Sequence, residues 1–376
     1  MQHSNIVGGS TAKRVINCPG SVALVNTMPP KPSSSYADEG TMLHAAMAEY
    51  WEKNHKPETF IGFETNGVVM DQDLFDRKFM PALKTLDELD PDGSMEYAVE
   101  TLVSFAGVPA LEGVFGSTDF LGRIGDTAYV IDWKFGDGVL VEAEDNPQLL
   151  FYAAAAMRTP KVAWVFEGAT KIIMAIVQPR YGVATWETTP KRVKLFEKEL
   201  VAAVKVAQRP DAPHKRGDWC KWCAAKPVCP LMTGAAERAL KTKIDALDKA
   251  QIGRYLEDAA YLGEWIASVQ ELAETIILGG GYVDGWKLVE KRATRNWVDE
   301  TTAEDYLSRH LDESDYTTKK IITPAQAEKL LKKQGVELSE EVINKASSGL
   351  TLAKESDKRP AAVTAQTRLA TALSKL

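Results

Sequence analysis

Three side chains near the middle of the chain have the types and spacing to hold a divalent cation and a water beside a phosphate. Asp119 and Asp132 each sit in a strand-like run, VFGSTDFLGRI and TAYVIDWKFG, and Lys134 lies two residues past the second. Side chains alternate faces along a strand, so Asp132 and Lys134 point the same way. Gln148 and Tyr152 follow at i, i+4 spacing and share a helix face.

Phosphodiester hydrolysis needs an activated water, neutralisation of charge in the transition state and help for the leaving oxygen. Mg2+ or Mn2+ held by carboxylates supplies all three. In such a site Asp119 and Asp132 are the ligands, with the Trp133 carbonyl a further one. Lys134 orients the water or stabilises developing negative charge. The competing possibility is that Asp132 and Lys134 form a same-face ion pair on a solvated strand. Val130, Ile131, Trp133 and Phe135 around them argue for burial, where an unexplained charged pair is costly. Asp126 and Asp137 adjoin glycines and read as turn residues.

The chain has four cysteines, three of them in the Cys-x2-Cys-x5-Cys run DWCKWCAAKPVC as Cys220, Cys223 and Cys229. The fourth, Cys18, lies in VINCPGSVAL near the start. Such spacing in a reducing compartment reads as a metal site rather than as disulfides. Four thiolates suit a structural Zn2+ or a 4Fe–4S cluster. Zinc modules more often use two local Cys-x2-Cys knuckles, and this chain has one such pair.

These residues need elements to carry them. The stretch TMLHAAMAEYWEKN repeats apolar residues at helical spacing, with His44 beside the stripe. A lone histidine on a helix is by itself most often structural or solvated. A second helix is expected over 71–89. The strand MEYAVETLVSFAG follows and contains Glu100. The two aspartate-bearing strands are joined by a tight turn at Gly125-Asp126. Gly116 and Gly122 mark close backbone approaches. Asn146-Pro147 opens a helix as N-cap and first residue. KVAWVFEG and KIIMAIVQPR read as two more strands, and Pro190 opens a helix to about Gln208. The composite is a mixed α/β core of about 200 residues with length to spare for an extension. Beyond it, a long helix is expected through Ile277, then a glycine-rich break. A small hairpin around WKLVEKRATRNWVDE, helices over 301–310 and 324–333, and a weakly ordered tail complete the chain.

Net charge is −7, which neither advertises nucleic-acid binding nor excludes a local basic groove. No apolar run is long enough to span a bilayer, and MQHSNIVGGSTAKR lacks the apolar stretch of a signal peptide, so no membrane partner and a cytoplasmic location are expected.

The succession Gly-x-x-Asp (Gly116–Asp119), Asp-Trp-Lys (Asp132–Lys134) and Gln-x-x-x-Tyr (Gln148–Tyr152) resembles the RecB-like branch of the PD-(D/E)XK nuclease superfamily. EGTMLH resembles the segment in which that branch carries a histidine metal ligand. NCPGSVAL, VIDWKFGDG, EDNPQLLFYA, ITPAQAEKLL and ESDKRPA extend the likeness over nearly the whole chain, toward a phage-enriched family of the branch. The resemblance implies a restriction-endonuclease-like core, a mixed central sheet flanked by helices. It implies Mg2+- or Mn2+-dependent DNA cleavage of exonuclease or flap type, and the leading expectation is an exonuclease acting on ends or single strands in phage recombination, replication or host-DNA processing. Asp119, Asp132 and Lys134 then take the core catalytic roles and His44 a metal-ligand role. Gln148 and Tyr152 support the site, and Glu100 corresponds to an extra upstream acid.

A lone N-terminal cysteine closing on a C-terminal trio resembles the iron–sulfur staple of CRISPR-associated RecB-like exonucleases and AddB-type nuclease domains. This favours a structural 4Fe–4S cluster on Cys18, Cys220, Cys223 and Cys229 over Zn2+. The expected domains are a nuclease domain over 1–232 and a mostly helical extension over 233–376. The extension is available to DNA, to a phage recombination partner or to a second copy of the chain. Two other functional classes stay open: a catalytically silent DNA-binding or assembly module, and a structure-specific or sequence-specific endonuclease.

Overall fold

The structure, a computed structural model, describes residues 4–30, 33–53, 55–136, 140–234 and 249–287. All of them fall within one compact unit, Met1–Val289. Asp137, most of the expected hairpin after Trp286, the helices over 301–310 and 324–333, and the tail lie outside the described residues.

The chain begins with two short helices, α1 (Ala12–Asn17) and α2 (Ser21–Val25), and a long one, α3 (Ser35–Lys53). A small hairpin follows, β1 (Glu64–Thr65) and β2 (Val68–Val69). Next, α4 (Gln72–Leu74) runs through a π-helical turn at Phe75–Phe79 into α5 (Met80–Leu89). Pro81 has no N–H for a regular helical bond, and the widened turn sits immediately before it. The expected helix over 71–89 is thus present with a deformation that its proline explains.

The central sheet has five strands in the order β3 (Glu96–Ser104), β4 (Phe115–Ile124), β5 (Thr127–Trp133), β6 (Lys171–Gln178), β7 (Gly182–Thr188). The β5–β6 pair is parallel and the others are antiparallel. The β4–β5 turn is Gly125-Asp126, with Gly125 at φ 58°. The parallel crossover from β5 to β6 carries α6 (Pro147–Ala156). After β7, Thr189 caps α7 (Pro190–Ala207) by accepting from the Arg192 N–H. Helix α8 (Lys249–Leu278) ends at the expected glycine-rich break, with Gly280 at φ 83°.

Strand alternation sorts the core into two layers. Leu121, Val130, Ile172 and Met174 pack with α6 and α7 on one face; Phe120, Ile131, Trp133 and Ala175 pack with α3 and α5 on the other. A mixed sheet with a helical layer on each face is the α/β core the sequence implies.

Two details differ from expectation. KVAWVFEG is not a strand: its centre, Ala163–Val165, is a 3-10 turn. Its buried residues Val162, Val165 and Phe166 recur at three to four, not at two. The Arg123 guanidinium donates to the carbonyls of Val165 and Glu167, satisfying backbone that has no ladder partner. The fifth strand is instead Gly182–Thr188, an edge strand whose half-exposed side chains carry little apolar signal.

Candidate metal centre

The register of the sheet lines up three acids. Glu100 lies between the pairs Val99↔Phe120 and Thr101↔Thr118, which puts it opposite Asp119. One step past the last β4–β5 pair, Phe120↔Ile131, Asp119 comes opposite Asp132. Like charges facing each other across strands destabilise a sheet. This row therefore calls for cations.

Each acid is held in place. Asp119 Oδ2 accepts the Trp133 N–H at 2.8 Å, so a side chain takes the place of a ladder carbonyl where β4 and β5 diverge. Asp132 Oδ1 accepts from Gln148 Nε2 at 2.9 Å, and its Oδ2 lies 2.6 Å from Lys134 Nζ. Gln148 also donates to the Tyr152 hydroxyl at 2.9 Å. The helix that delivers Gln148 and Tyr152 is started by Asn146, whose side chain accepts from the Gln148 and Leu149 N–H groups. Glu100 accepts from Ser117 Oγ at 3.0 Å and sits at φ 38°, a left-handed conformation that costs about 1–3 kcal/mol in a non-glycine residue. Such strain persists only where the surroundings over-determine it.

From the other layer, α3 brings His44 to the row. Its Nδ1 is 3.5 Å from Asp119 Oδ2 and 3.8 Å from Glu100 Oε1. Ligand atoms of His44, Glu100 and Asp119 all lie within 4.8 Å of one another. The Phe135 ring meets His44 edge-on at 5.1 Å. Lys78, in the π-helical turn, bonds Glu39 at 2.5 Å and the Phe135 carbonyl at 2.8 Å, tying α3 to the segment after Lys134. The site opens into a cleft of about 800 Å³ that Gly8, Gly9 and Thr41 also line.

The electrostatics follow from the crowding. Burial, then the Asp132 charge, holds Asp119 well above the ordinary carboxylate range. Burial and Asp119 push Glu100 up to about 6. Burial lowers His44, with Asp132 and Glu100 pulling the other way. For Lys134, burial opposes the charge but Asp132 and Asp119 outweigh it, so it stays a cation. Burial also raises Tyr152, with Asp132 and Asp119 adding to it, which keeps its hydroxyl protonated as a neutral partner for Gln148. One lysine faces three carboxylates, a neutral imidazole is at hand, and the donors are all oxygen or imidazole nitrogen. That donor set suits Mg2+ or Mn2+.

Of the residues singled out in the sequence, His44, Glu100, Asp119, Asp132, Lys134, Gln148 and Tyr152 line one cleft. Trp133 is buried beside it, its N–H engaged by Asp119. Ser117, Lys78 and Gly9 also serve the site, without a motif of their own in the sequence. A Cβ on Gly9 would stand 2.5 Å from the Tyr152 ring, so its missing side chain lets the N-terminal segment cover α6. The Gly-Gly pair was the available signal.

The four cysteines also come together. Cys18, buried after α1, shares one small cavity with Cys220, Cys223 and Cys229, and its Sγ accepts the Lys215 N–H at 3.3 Å. None of the four is in a disulfide. Helix α8 packs on this loop through Trp265, whose indole N–H donates to the Pro227 carbonyl, and through the Lys226–Glu264 pair.

The chain belongs to the family described as "Protein of unknown function (DUF2800)", whose profile matches residues 3–360. Among solved structures it is similar to SSO0001, at 19% identity and TM-score 0.28, over 61% of this chain and 88% of that one. It is also similar to an alkaline exonuclease from Laribacter hongkongensis, at 11% identity and TM-score 0.26, over 55% of this chain and 89% of that one. No helix among the described residues is long and apolar enough to cross a membrane.

Proposed function

We propose that this protein is a Mg2+- or Mn2+-dependent deoxyribonuclease of the PD-(D/E)XK superfamily, RecB-like branch, working as an exonuclease on DNA ends or single strands. The observation that carries it is the aligned row Glu100, Asp119, Asp132 with His44 on one side and Lys134 on the other. A purely structural sheet has no use for three facing carboxylates, and a pure binder none for Lys134 at their end.

His44, Glu100, Asp119 and Asp132 would hold the metal, with the Trp133 carbonyl a further donor. The bound ion would supply a polarised phosphate and an acidified water. The chain's own groups do the rest. Lys134, kept protonated by its carboxylates, places positive charge where the attacked phosphate gains negative charge. Gln148 fixes the Asp132 carboxylate and is fixed in turn by Tyr152, so the acid presents one oxygen to Lys134 and the other to the amide. Asp119, anchored by the Trp133 N–H, cannot swing away from His44.

The four cysteines we read as ligands of a structural 4Fe–4S cluster that staples the start of the nuclease domain to its end, with Zn2+ as the alternative occupant. The shared cavity supports a metal. The local Cys-x2-Cys-x5-Cys run with its distant fourth cysteine supports the cluster over zinc, which more often uses two local knuckles. A phage recombination or DNA-processing setting, a cytoplasmic location and a domain boundary near residue 232 complete the proposal.

End-labelled linear DNA and covalently closed circles, incubated with Mg2+ or Mn2+, test it. Progressive loss of linear DNA with circles intact is the expected result. Nicked or linearised circles would make it an endonuclease, and retention of DNA without turnover in either metal would leave a binding module.

A further inference from the structure

The cysteine cavity is bordered by basic side chains, Arg14, His214, Lys215, Arg216 and Lys226, and by no aspartate or glutamate. Two of these cations are occupied elsewhere. Arg216 pairs with Asp258 and lies over the Tyr261 ring, and Lys226 pairs with Glu264. Lys215 is exposed, its ammonium 5.9 Å from the Trp219 ring centre. Arg14 is different. It is partly buried, its Nη1 donates to Ser21 Oγ at 2.6 Å, and no carboxylate among the described residues pairs with it.

A partly buried guanidinium with no anion beside it is disfavoured, and folds tend to supply a partner. Four neutral thiols are no partner. Four thiolates on Zn2+ or on an oxidised 4Fe–4S cluster are, because either centre keeps a net double negative charge. Arg14 borders the same cavity as all four cysteines. It stands one helical turn before Cys18, whose N–H bonds the Arg14 carbonyl at 2.7 Å. The Lys215 N–H also donates to Cys18 Sγ, a second donor turned to the same sulfur.

We propose that Arg14 is the countercharge of the four-cysteine centre and a positioning residue for it, its charge favouring retention of the bound metal. The proposal rests on the reading of these cysteines as metal ligands. It goes further by assigning the centre's retention, and the reduction potential of an iron cluster, to a side chain outside the ligand set.

Full-length parent, Arg14→Lys and Arg14→Met are purified anaerobically. Iron, sulfide and zinc are measured per chain, and metal loss to a chelator is followed in time. Arg14→Met is expected to lose metal at least tenfold faster than the parent, with Arg14→Lys between them. If the metal is iron, the Arg14→Met midpoint potential falls. In a Cys220→Ser, Cys223→Ser background, which has no complete centre, Arg14→Met should melt no lower than its own parent. Release at the parental rate, or an equal loss of stability in both backgrounds, would overturn the role of Arg14 while leaving the metal centre standing. A parent protein with neither iron nor zinc would overturn the metal reading and the countercharge with it.

Discussion

Replacing Glu100 with glutamine should make the metal-free protein more stable and the metal-loaded protein less so. Its carboxyl, ordinarily near 4.5, is raised to about 6 in the fold, and the side chain is only 19% exposed. At about 1.4 kcal/mol per unit, that shift corresponds to about 2 kcal/mol. The folded-state pKa lies above the unfolded one, so the stability linked to this group is fully present below about 4.5 and lost as pH rises through about 6. At pH 8, with a chelator, the ionised carboxylate therefore weighs against folding. Glutamine keeps an acceptor for Ser117 and removes the charge, returning up to about 2 kcal/mol, or roughly 4 °C in Tm for a unit of this size. Near pH 4.5 most of the gain disappears, because the parental carboxyl is then largely protonated. Thermal unfolding of both proteins at the two pH values, with EDTA and then with excess Mn2+, reads this out. With Mn2+ the order should reverse, since the variant has lost an anionic donor. A variant that melts no higher than the parent at pH 8 in EDTA, or one that gains equally at both pH values, would refute the electrostatic account of the row.

Three further substitutions probe single contacts. His44→Ala should weaken Mn2+ binding by roughly tenfold or more, measured by calorimetry, while leaving the metal-free melting temperature nearly unchanged. Asn146→Ala removes the cap that starts α6 and should cost about 1 kcal/mol in denaturant unfolding, with a partial loss of any nuclease turnover because Gln148 is the second residue of that helix. Gly9→Ala drives a methyl into the Tyr152 ring and should cost about 1–3 kcal/mol, and Tyr152→Leu in the same background should recover part of it.

The centre was legible because its chemistry is carried by residue types that strands and helices present predictably. Asp132 and Lys134 share a strand face, Gln148 and Tyr152 a helix face, and Asn146-Pro147 announces its helix from two residues. What could not be read was lateral. That Glu100, Asp119 and Asp132 face one another depends on the β3–β4 and β4–β5 registers, set by loops whose lengths do not reveal the pairing. The left-handed backbone at Glu100 carries no local sign, since glutamate has no preference for it. KVAWVFEG misled because apolar β-branched and aromatic residues suit a strand and a buried turn alike, and its burial spacing emerges only against the packed α6. GVATWET escaped because an edge strand exposes half its side chains and loses the apolar contrast that marks the central ones. The cysteines could be counted, and their cavity is where the fold places them, but the cation beside them needed the structure: α1 alone does not say that Arg14 borders that cavity.

The central claim is that the acid row and Lys134 form one hydrolytic site, and single-residue replacement tests it most directly. Asp132→Ala and Lys134→Ala, compared with the parent on end-labelled linear DNA in Mn2+, should lose phosphodiester cleavage while remaining folded by circular dichroism. Cleavage by either variant at the parental rate would contradict the assignment.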